Sequence, residues 1–282
     1  MGCFWLYLLL TILAIFLVID LLIFILSYSM CWYEYANSDP RLMEKRFRGR
    51  TIFMVCSVVI QETFFNFLTL MVLPFGLLDP RRHPTQRGEI PVLLLHGLFN
   101  NRASWFWMKW KLRKQGFNTV ATINLSSWHN EEVLTELVAK KIDELRHRLG
   151  VNKVHLVCHS MGGIIARNFI QQRGGAAKVA CCIYLGTPHL GSKLAPFALS
   201  PLGRLLIPGS DFLRRLAQAH PPESVKTTNI YTTKDNMVLP NGNACLPWGE
   251  TVELNGLGHT ALIYRKTAQE AVVAALRKGA EK

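Results

Sequence analysis

The sequence predicts an α/β domain, a mostly parallel sheet covered by helices on both faces, carried behind N-terminal transmembrane helices. Three observations lead there. From residue 90 onward, short apolar runs alternate with helical patterns, the order that builds a parallel sheet buried on both sides. One of these runs, Val154 to Cys158, passes through His159-Ser160 directly into the helix-forming stretch Met161-Gly162-Gly163-Ile164-Ile165-Ala166. At the N-terminus, Phe4 to Tyr28 is almost wholly apolar and exceeds the roughly 20 residues that cross a bilayer as a helix.

That first segment is interrupted only by Asp20 and a few hydroxyls. It has no basic stretch before it and no small-residue cleavage pattern behind it, so it reads as an anchor rather than a cleaved signal peptide. Leu6 stands where N-myristoylation would require Ser or Thr. A second apolar segment, Ile52 to Leu78, carries Ser57, Gln61, Glu62, Asn66 and Thr69 at three- and four-residue spacing, which places them on one helical face. The expectation is a second span with this polar stripe against the first helix, pairing with Thr11 or Asp20. The alternative is a helix at the membrane interface that feeds lipid toward the following domain. The connection between the segments holds Arg41, Lys45, Arg46, Arg48 and Arg50 and is more basic than the stretch after them, with Arg81, Arg82 and Arg87. The positive-inside tendency then makes the connection cytoplasmic and puts the short N-terminus and the domain outside the cytoplasm; the location expected is a bacterial inner membrane with the domain facing the periplasm. The chain thus divides into an anchor over 1–78, a linker over 79–89 and a domain over 90–282.

Within the domain, strands are expected at about 90–95, 118–125, 152–158, 178–185, 227–234 and 250–254, with helices near 103–115, 131–149, 162–173 and 266–278. Roughly 190 residues suffice for one core. The stretch 191–225 is rich in apolar residues, among them Leu194, Phe197, Leu199, Leu202, Leu206, Phe212, Leu213 and Leu216. It is expected to form a cap whose apolar face lines a pocket, with Arg204, Arg214 and Arg215 toward water or phosphate headgroups; plain packing on the sheet is the alternative.

The candidate chemistry begins at Ser160. A serine at a tight strand-to-helix turn needs small neighbours, and the helix N-terminus behind it favours developing negative charge. Gly162 supplies one small neighbour and Cys158 replaces the glycine usual at the other position, which predicts crowding rather than loss of the turn. A serine hydroxyl is a weak nucleophile without a histidine to take its proton and an acid to orient that histidine. Asp235 follows the β-rich run Thr228 to Thr233, and His259 lies in the glycine-flexed loop Asn255-Gly256-Leu257-Gly258-His259-Thr260. Twenty-four residues separate them (259 − 235), room for one strand and two loops that return both side chains to one sheet edge. Asp211 is a minor alternative acid. Asp143, His147, His155, His189 and His220 read as structural or solvated. For an oxyanion, the N–H of Met161 and that of Leu98, in the loop His96-Gly97-Leu98-Phe99 after the first strand, are the expected donors, with His96 a packing and hydrogen-bonding residue.

These residues in this order resemble the α/β-hydrolase superfamily, and within it the bacterial lipases and lipid-deacylating esterases. The resemblance runs from Ile90 onward. It is sharpened by His96-Gly97-Leu98, by Leu185-Gly186-Thr187-Pro188-His189-Leu190-Gly191-Ser192 and by Pro208-Gly209-Ser210-Asp211-Phe212-Leu213. It implies the α/β-hydrolase fold, lacking two early strands of the full form, and hydrolysis of carboxylic esters through an acyl-enzyme on Ser160, with no organic cofactor. Some relatives carry a structural calcium ion near the histidine loop; no clustered pair of acids in this sequence supports one, so no metal is expected.

The formal charge is +13, from 32 Lys and Arg against 19 acids. No nucleic-acid recognition module accompanies it, and an anionic lipid surface is the simpler partner. The seven cysteines form no disulfide framework; Cys181 and Cys182, adjacent on a strand, should point to opposite faces. The function expected is that of a membrane-anchored serine hydrolase acting on lipid or other hydrophobic esters. Phospholipase or acyltransferase activity with the same triad, and a non-catalytic lipid-binding or scaffold protein, are the alternatives. Acyl-chain length, headgroup preference and oligomeric state are not written in any motif.

Overall fold

The computed structural model describes residues 2–38, 49–78 and 88–280. The basic connection containing Arg41, Lys45, Arg46 and Arg48, and the linker arginines Arg81, Arg82 and Arg87, lie outside them.

Six strands form one sheet: β1 (Val92–Leu95), β2 (Val120–Ile123), β3 (Val154–His159), β4 (Val179–Leu185), β5 (Lys226–Tyr231) and β6 (Glu250–Glu253). Their spatial order is β2-β1-β3-β4-β5-β6, and every pairing is parallel. The strands follow the sequence reading closely: β1, β3 and β4 are largely apolar on both faces, while β5 is a polar, Thr-rich run (Thr227, Thr228, Asn229) set between β4 and β6. The pleat sends alternate residues to two separate cores. Leu93, Leu95, Leu156, Cys158, Cys182 and Tyr184 meet helices α4 (Glu131–Leu149) and α5 (Met161–Gln172). Val92, Leu94, Val157, Cys181, Ile183 and Leu185 meet α3 (Phe106–Lys114) and α8 (Lys266–Ala280). Cys181 and Cys182 therefore do face opposite ways, and Cys181 Sγ lies 3.0 Å from His155 Nδ1. Helix α4 starts at Asn130, whose side chain accepts from Val133 N–H, and stops at Gly150 in the left-handed region.

The segment 191–225 divides between the two expectations. Its two short helices, α6 (Pro201–Leu205) and α7 (Asp211–Gln218), bury Leu202, Phe212, Leu213 and Leu216 in the core shared with α4 and α5. Leu194 and Ala198 line a cavity at the carboxyl ends of the strands, and Ala195 and Leu206 both line it and belong to that core. Phe197 and Leu199 are exposed. Two of the arginines expected to face headgroups have partners in the chain: Arg214 pairs with Asp211 and the Gly209 carbonyl, and Arg215 approaches Glu131. Arg204 is exposed.

The two N-terminal segments are helices, α1 (Gly2–Ser38) and α2 (Gly49–Val72), and by length and composition both suffice to cross a membrane. At 1.5 Å per residue, α1 is about 55 Å long against a hydrocarbon core of about 30 Å. Its last turns reach the domain: Cys31 Sγ donates to the Asp235 carbonyl at 3.4 Å, and Glu34 meets Lys193 at 2.6 Å. The polar stripe of α2 meets the first helix as expected at one point and the domain at others. Asn66 does donate to Asp20 Oδ1 at 3.1 Å, but Thr11 bonds within its own helix to the Tyr7 carbonyl. Glu62, Asn66 and Thr69 all reach residues of the domain. Phe65 stacks on Tyr264 at 5.1 Å. The reason is that a buried carboxylate and amide need donors that an apolar helix does not offer, whereas the loop around residue 260 supplies several.

Candidate active site

The sheet edge where the strands end gathers the predicted residues. The order reverses around β1, so chain segments leaving β1, β3, β5 and β6 converge outside their carboxyl ends, the usual place for a site in an open parallel sheet. Ser160 follows β3 directly. Its φ is +52° and ψ −126°, a sparsely populated conformation that surrounding structure must enforce. Ser160 N–H donates to the Leu185 carbonyl of β4 at 2.9 Å. Although Ser160 stands at the N-cap of α5, its hydroxyl makes no capping hydrogen bond, so the turn leaves it to the cavity.

Two close approaches maintain the turn. A Cβ on Gly162 would stand 2.6 Å from the carbonyl oxygens of Leu95 and His96. One on Gly97 would stand 2.9 Å from Ser160 Cβ. Cys158 is buried in the core shared with α5, and the turn forms with cysteine in place of glycine. Gly162→Ala is expected to cost about 1–3 kcal/mol, because the colliding atoms are backbone and cannot rotate away; a denaturant titration of the two proteins measures it.

Asp235 and His259 are brought together as expected. His259 Nδ1 lies 2.8 Å from Asp235 Oδ2, while Asp235 Oδ1 accepts the N–H groups of Met237 and Val238, each at 2.8 Å. This orientation fixes Nδ1 as the protonated nitrogen and leaves Nε2 as an acceptor. Burial disfavours the imidazolium, but the charge and hydrogen bond of Asp235, with the charge of Glu62, together hold the His259 pKa above the usual histidine value. The rival groups are elsewhere. Asp211 is exposed at the start of α7 beside Arg214, and Asp143 pairs with Lys178 and Arg146 on α4.

His96 behaves as expected: Leu125 N–H donates to its Nε2 at 2.8 Å and its Nδ1 faces the Gly97 carbonyl at 2.9 Å. Burial lowers its pKa to about 4, so it is neutral and braces the loop. Leu98 lines the cavity, and Met161 begins α5 directly after Ser160. Among the described residues, neither backbone N–H donates within the chain.

Two residues escaped the sequence reading. His159, whose pKa burial pushes well below the ordinary value, lies with Nε2 3.1 Å from the His259 carbonyl, to which it donates. Glu62, fully buried, accepts Thr260 N–H at 2.8 Å and Ala261 N–H at 2.7 Å. The local sequence puts Glu62 on the polar stripe of α2 and His159 beside Ser160 but is silent on what they meet, since the partners lie 100 and about 200 residues away.

Ser160 and His259 line one cavity of 320 Å³, near the lower end of the range for small-molecule sites, about 300–1,000 Å³. Phe16, Asp20 and Ile23 of α1 and Asn66, Thr69 and Leu70 of α2 form part of its wall. The segments that follow β1, β3, β4, β5 and β6, Leu73 and the 191–225 segment complete it.

A family model described as the alpha/beta hydrolase fold matches residues 90–205. The all-parallel sheet and the turn at Ser160 agree with it. The chain has the α/β-hydrolase fold. Solved structures similar to it include a Bacillus licheniformis lipase in mature form, at 24% identity and TM-score 0.57 over 70% of this chain and 95% of that one. A monoacylglycerol lipase from Paleococcus ferrophilus is similar at 16% identity and TM-score 0.56, over 70% and 97%. Lipase B of Aspergillus fumigatus gives 19% and 0.59, over 70% of this chain and 55% of that one. The matched part of the hydrolase fold begins where the sequence resemblance begins, at Ile90.

Proposed function

We propose that this protein is a membrane-anchored serine hydrolase that cleaves carboxylic esters of lipids. In this reading Ser160 attacks the ester carbonyl while His259 Nε2 takes its proton. Asp235 holds the imidazole in the required tautomer and stabilises the imidazolium that forms. The N–H groups of Leu98 and Met161 receive the oxyanion. Collapse of the tetrahedral intermediate expels the alcohol, protonated by His259, and leaves an acyl-enzyme on Ser160. Water activated by the same histidine then releases the carboxylic acid.

The observation that carries the proposal is the cavity holding Ser160 and His259, walled in part by both apolar helices. A soluble substrate requires no such wall. An acyl chain already in the bilayer can reach the serine along α1 and α2 without crossing water, which favours a hydrophobic ester drawn from the membrane. The lipase neighbours of the same fold point to the same substrate class.

The test is incubation of the detergent-solubilised full chain with a fluorophosphonate probe and with p-nitrophenyl esters of graded chain length. Covalent labelling and turnover are expected, with an optimum at medium or long chains. A folded protein that neither labels nor turns over would leave a lipid-binding role. The helix wall also makes a separate expectation. Leu70→Trp should lower kcat/KM for long-chain esters by about 10-fold or more, the scale on which hydrophobic pockets discriminate, while sparing short-chain esters. Equal effects across the series would place the acyl chain elsewhere.

A further inference from the structure

Glu62 is a carboxylate in the middle of an apolar helix, with no exposed surface. Such burial is unfavourable unless the oxygens are satisfied, and here both are. Oε2 accepts Thr260 N–H and Oε1 accepts Ala261 N–H. One helical turn on, Asn66 Oδ1 accepts the Thr260 hydroxyl at 2.7 Å. A Cβ at Gly258 would overlap the Glu62 side chain, so the residue before His259 also yields space to it. The other restraints on this loop come from within the domain: Asn236 Oδ1 accepts His259 N–H at 3.3 Å, Thr232 Oγ1 donates to the Leu257 carbonyl at 2.8 Å, and His159 holds the His259 carbonyl. The two N–H groups directly after the histidine are held by Glu62.

We propose that Glu62 is a positioning residue for His259, supplied by the second apolar helix, which fixes the backbone after the general base through a paired carboxylate–amide contact. The catalytic machinery is then complete only when α2 is docked on the domain. The inference rests on the proposed role of His259. A glutamine does not replace the carboxylate: it offers one acceptor and turns an N–H toward the second donor. The contact also sets charge around the histidine. The groups facing His259 are Asp235 from the loop after β5, Glu62 from α2 and His159 from β3; those facing Glu62 are His259, Asp235 and Tyr28 of α1. Removing the Glu62 charge removes one of the influences that favour the imidazolium.

The experiment compares the full-length parent with Glu62→Gln and Glu62→Ala in detergent. Two readouts are taken: ester kinetics across pH, and the titration of His259 followed by NMR on protein with 13C-labelled histidine, assigned with His259→Asn. In Glu62→Gln, kcat is expected to fall about 10²-fold, the cost of misplacing a catalytic group by about 1 Å, with KM little changed. The His259 titration and the acidic limb of the rate profile should both move to lower pH. A Glu62→Gln protein with the parental kcat and titration overturns the proposal. So does one that loses thermal stability and raises KM while the titration stays in place, because that describes packing alone. The NMR readout needs no turnover, so it decides the role of Glu62 even if the parent cleaves no ester, an outcome that would instead refute the hydrolase reading. If Glu62→Ala fails to fold, Glu62→Gln, which keeps the size and one acceptor, still gives both readouts.

Discussion

Replacing Ser160 with alanine is expected to abolish ester turnover and fluorophosphonate labelling while leaving the protein folded. The loss should be on the order of 10⁶-fold in kcat, the scale seen when a triad nucleophile is removed, or about 8 kcal/mol of transition-state stabilisation at 1.36 kcal/mol per decade. The fold should tolerate the change because the hydroxyl does not cap α5, and alanine keeps the Cβ on which the turn packs. The strained backbone at φ +52° is set by the Ser160 N–H bond to Leu185 and by the helix and strand on either side, none of which involves Oγ. Kinetics with matched unfolding curves check both halves. Turnover persisting near the parental rate would remove Ser160 from the mechanism.

Asp235→Asn is expected to lower kcat by about 10⁴-fold, for a reason of tautomer rather than of space. In the parent, Nδ1–H points at Oδ2 and Nε2 is free to accept a proton. An asparagine whose Oδ1 still accepts Met237 and Val238 N–H turns its amide N–H₂ toward His259. That selects the tautomer with hydrogen on Nε2, which is unable to act as a base toward Ser160. The pH dependence gives a second check. The base works when unprotonated, so activity rises as pH passes upward through the His259 pKa. Because that pKa lies above the ordinary value of about 6.5, the acidic limb of the parent should lie above it. With the Asp235 charge and hydrogen bond removed, burial dominates and the limb should move to lower pH in the variant. An acidic limb that stays fixed would assign it to another group.

Much of this arrangement was legible before the structure. Strands β1, β3 and β4 are short runs largely apolar on both faces, and that pattern is local. The turn at Ser160 is local as well, since the strand, the small residue at Gly162 and the helix behind it occupy a dozen consecutive positions. Asp235 and His259 were legible because each follows a strand in a chain whose strands are parallel, so both loops leave the sheet at the same end. The 191–225 segment was only half legible. Its apolar residues satisfy a cap and a packing layer equally well by composition, and the structure uses Leu194 at the cavity, Leu202, Phe212, Leu213 and Leu216 in the core, and Leu206 at both. The partners of Arg214 and Arg215 were likewise hidden, because a basic side chain on a surface helix carries no sign of whether a headgroup or Asp211 and Glu131 lie nearest.

By itself, the sequence determined the parallel α/β architecture, the strained turn at Ser160, the order of the three proposed catalytic groups and the presence of two helices long and apolar enough to cross a membrane. All of these depend on periodicity and on residues close together in the chain. Only the tertiary structure decided what the polar stripe of α2 does. The three- and four-residue spacing of Glu62, Asn66 and Thr69 specifies a shared face and is silent on what that face meets. The buried carboxylate required two donors, and the backbone after His259 provided them. Satisfying a buried charge is a long-range condition, and here it brings α2 against the loop that carries His259.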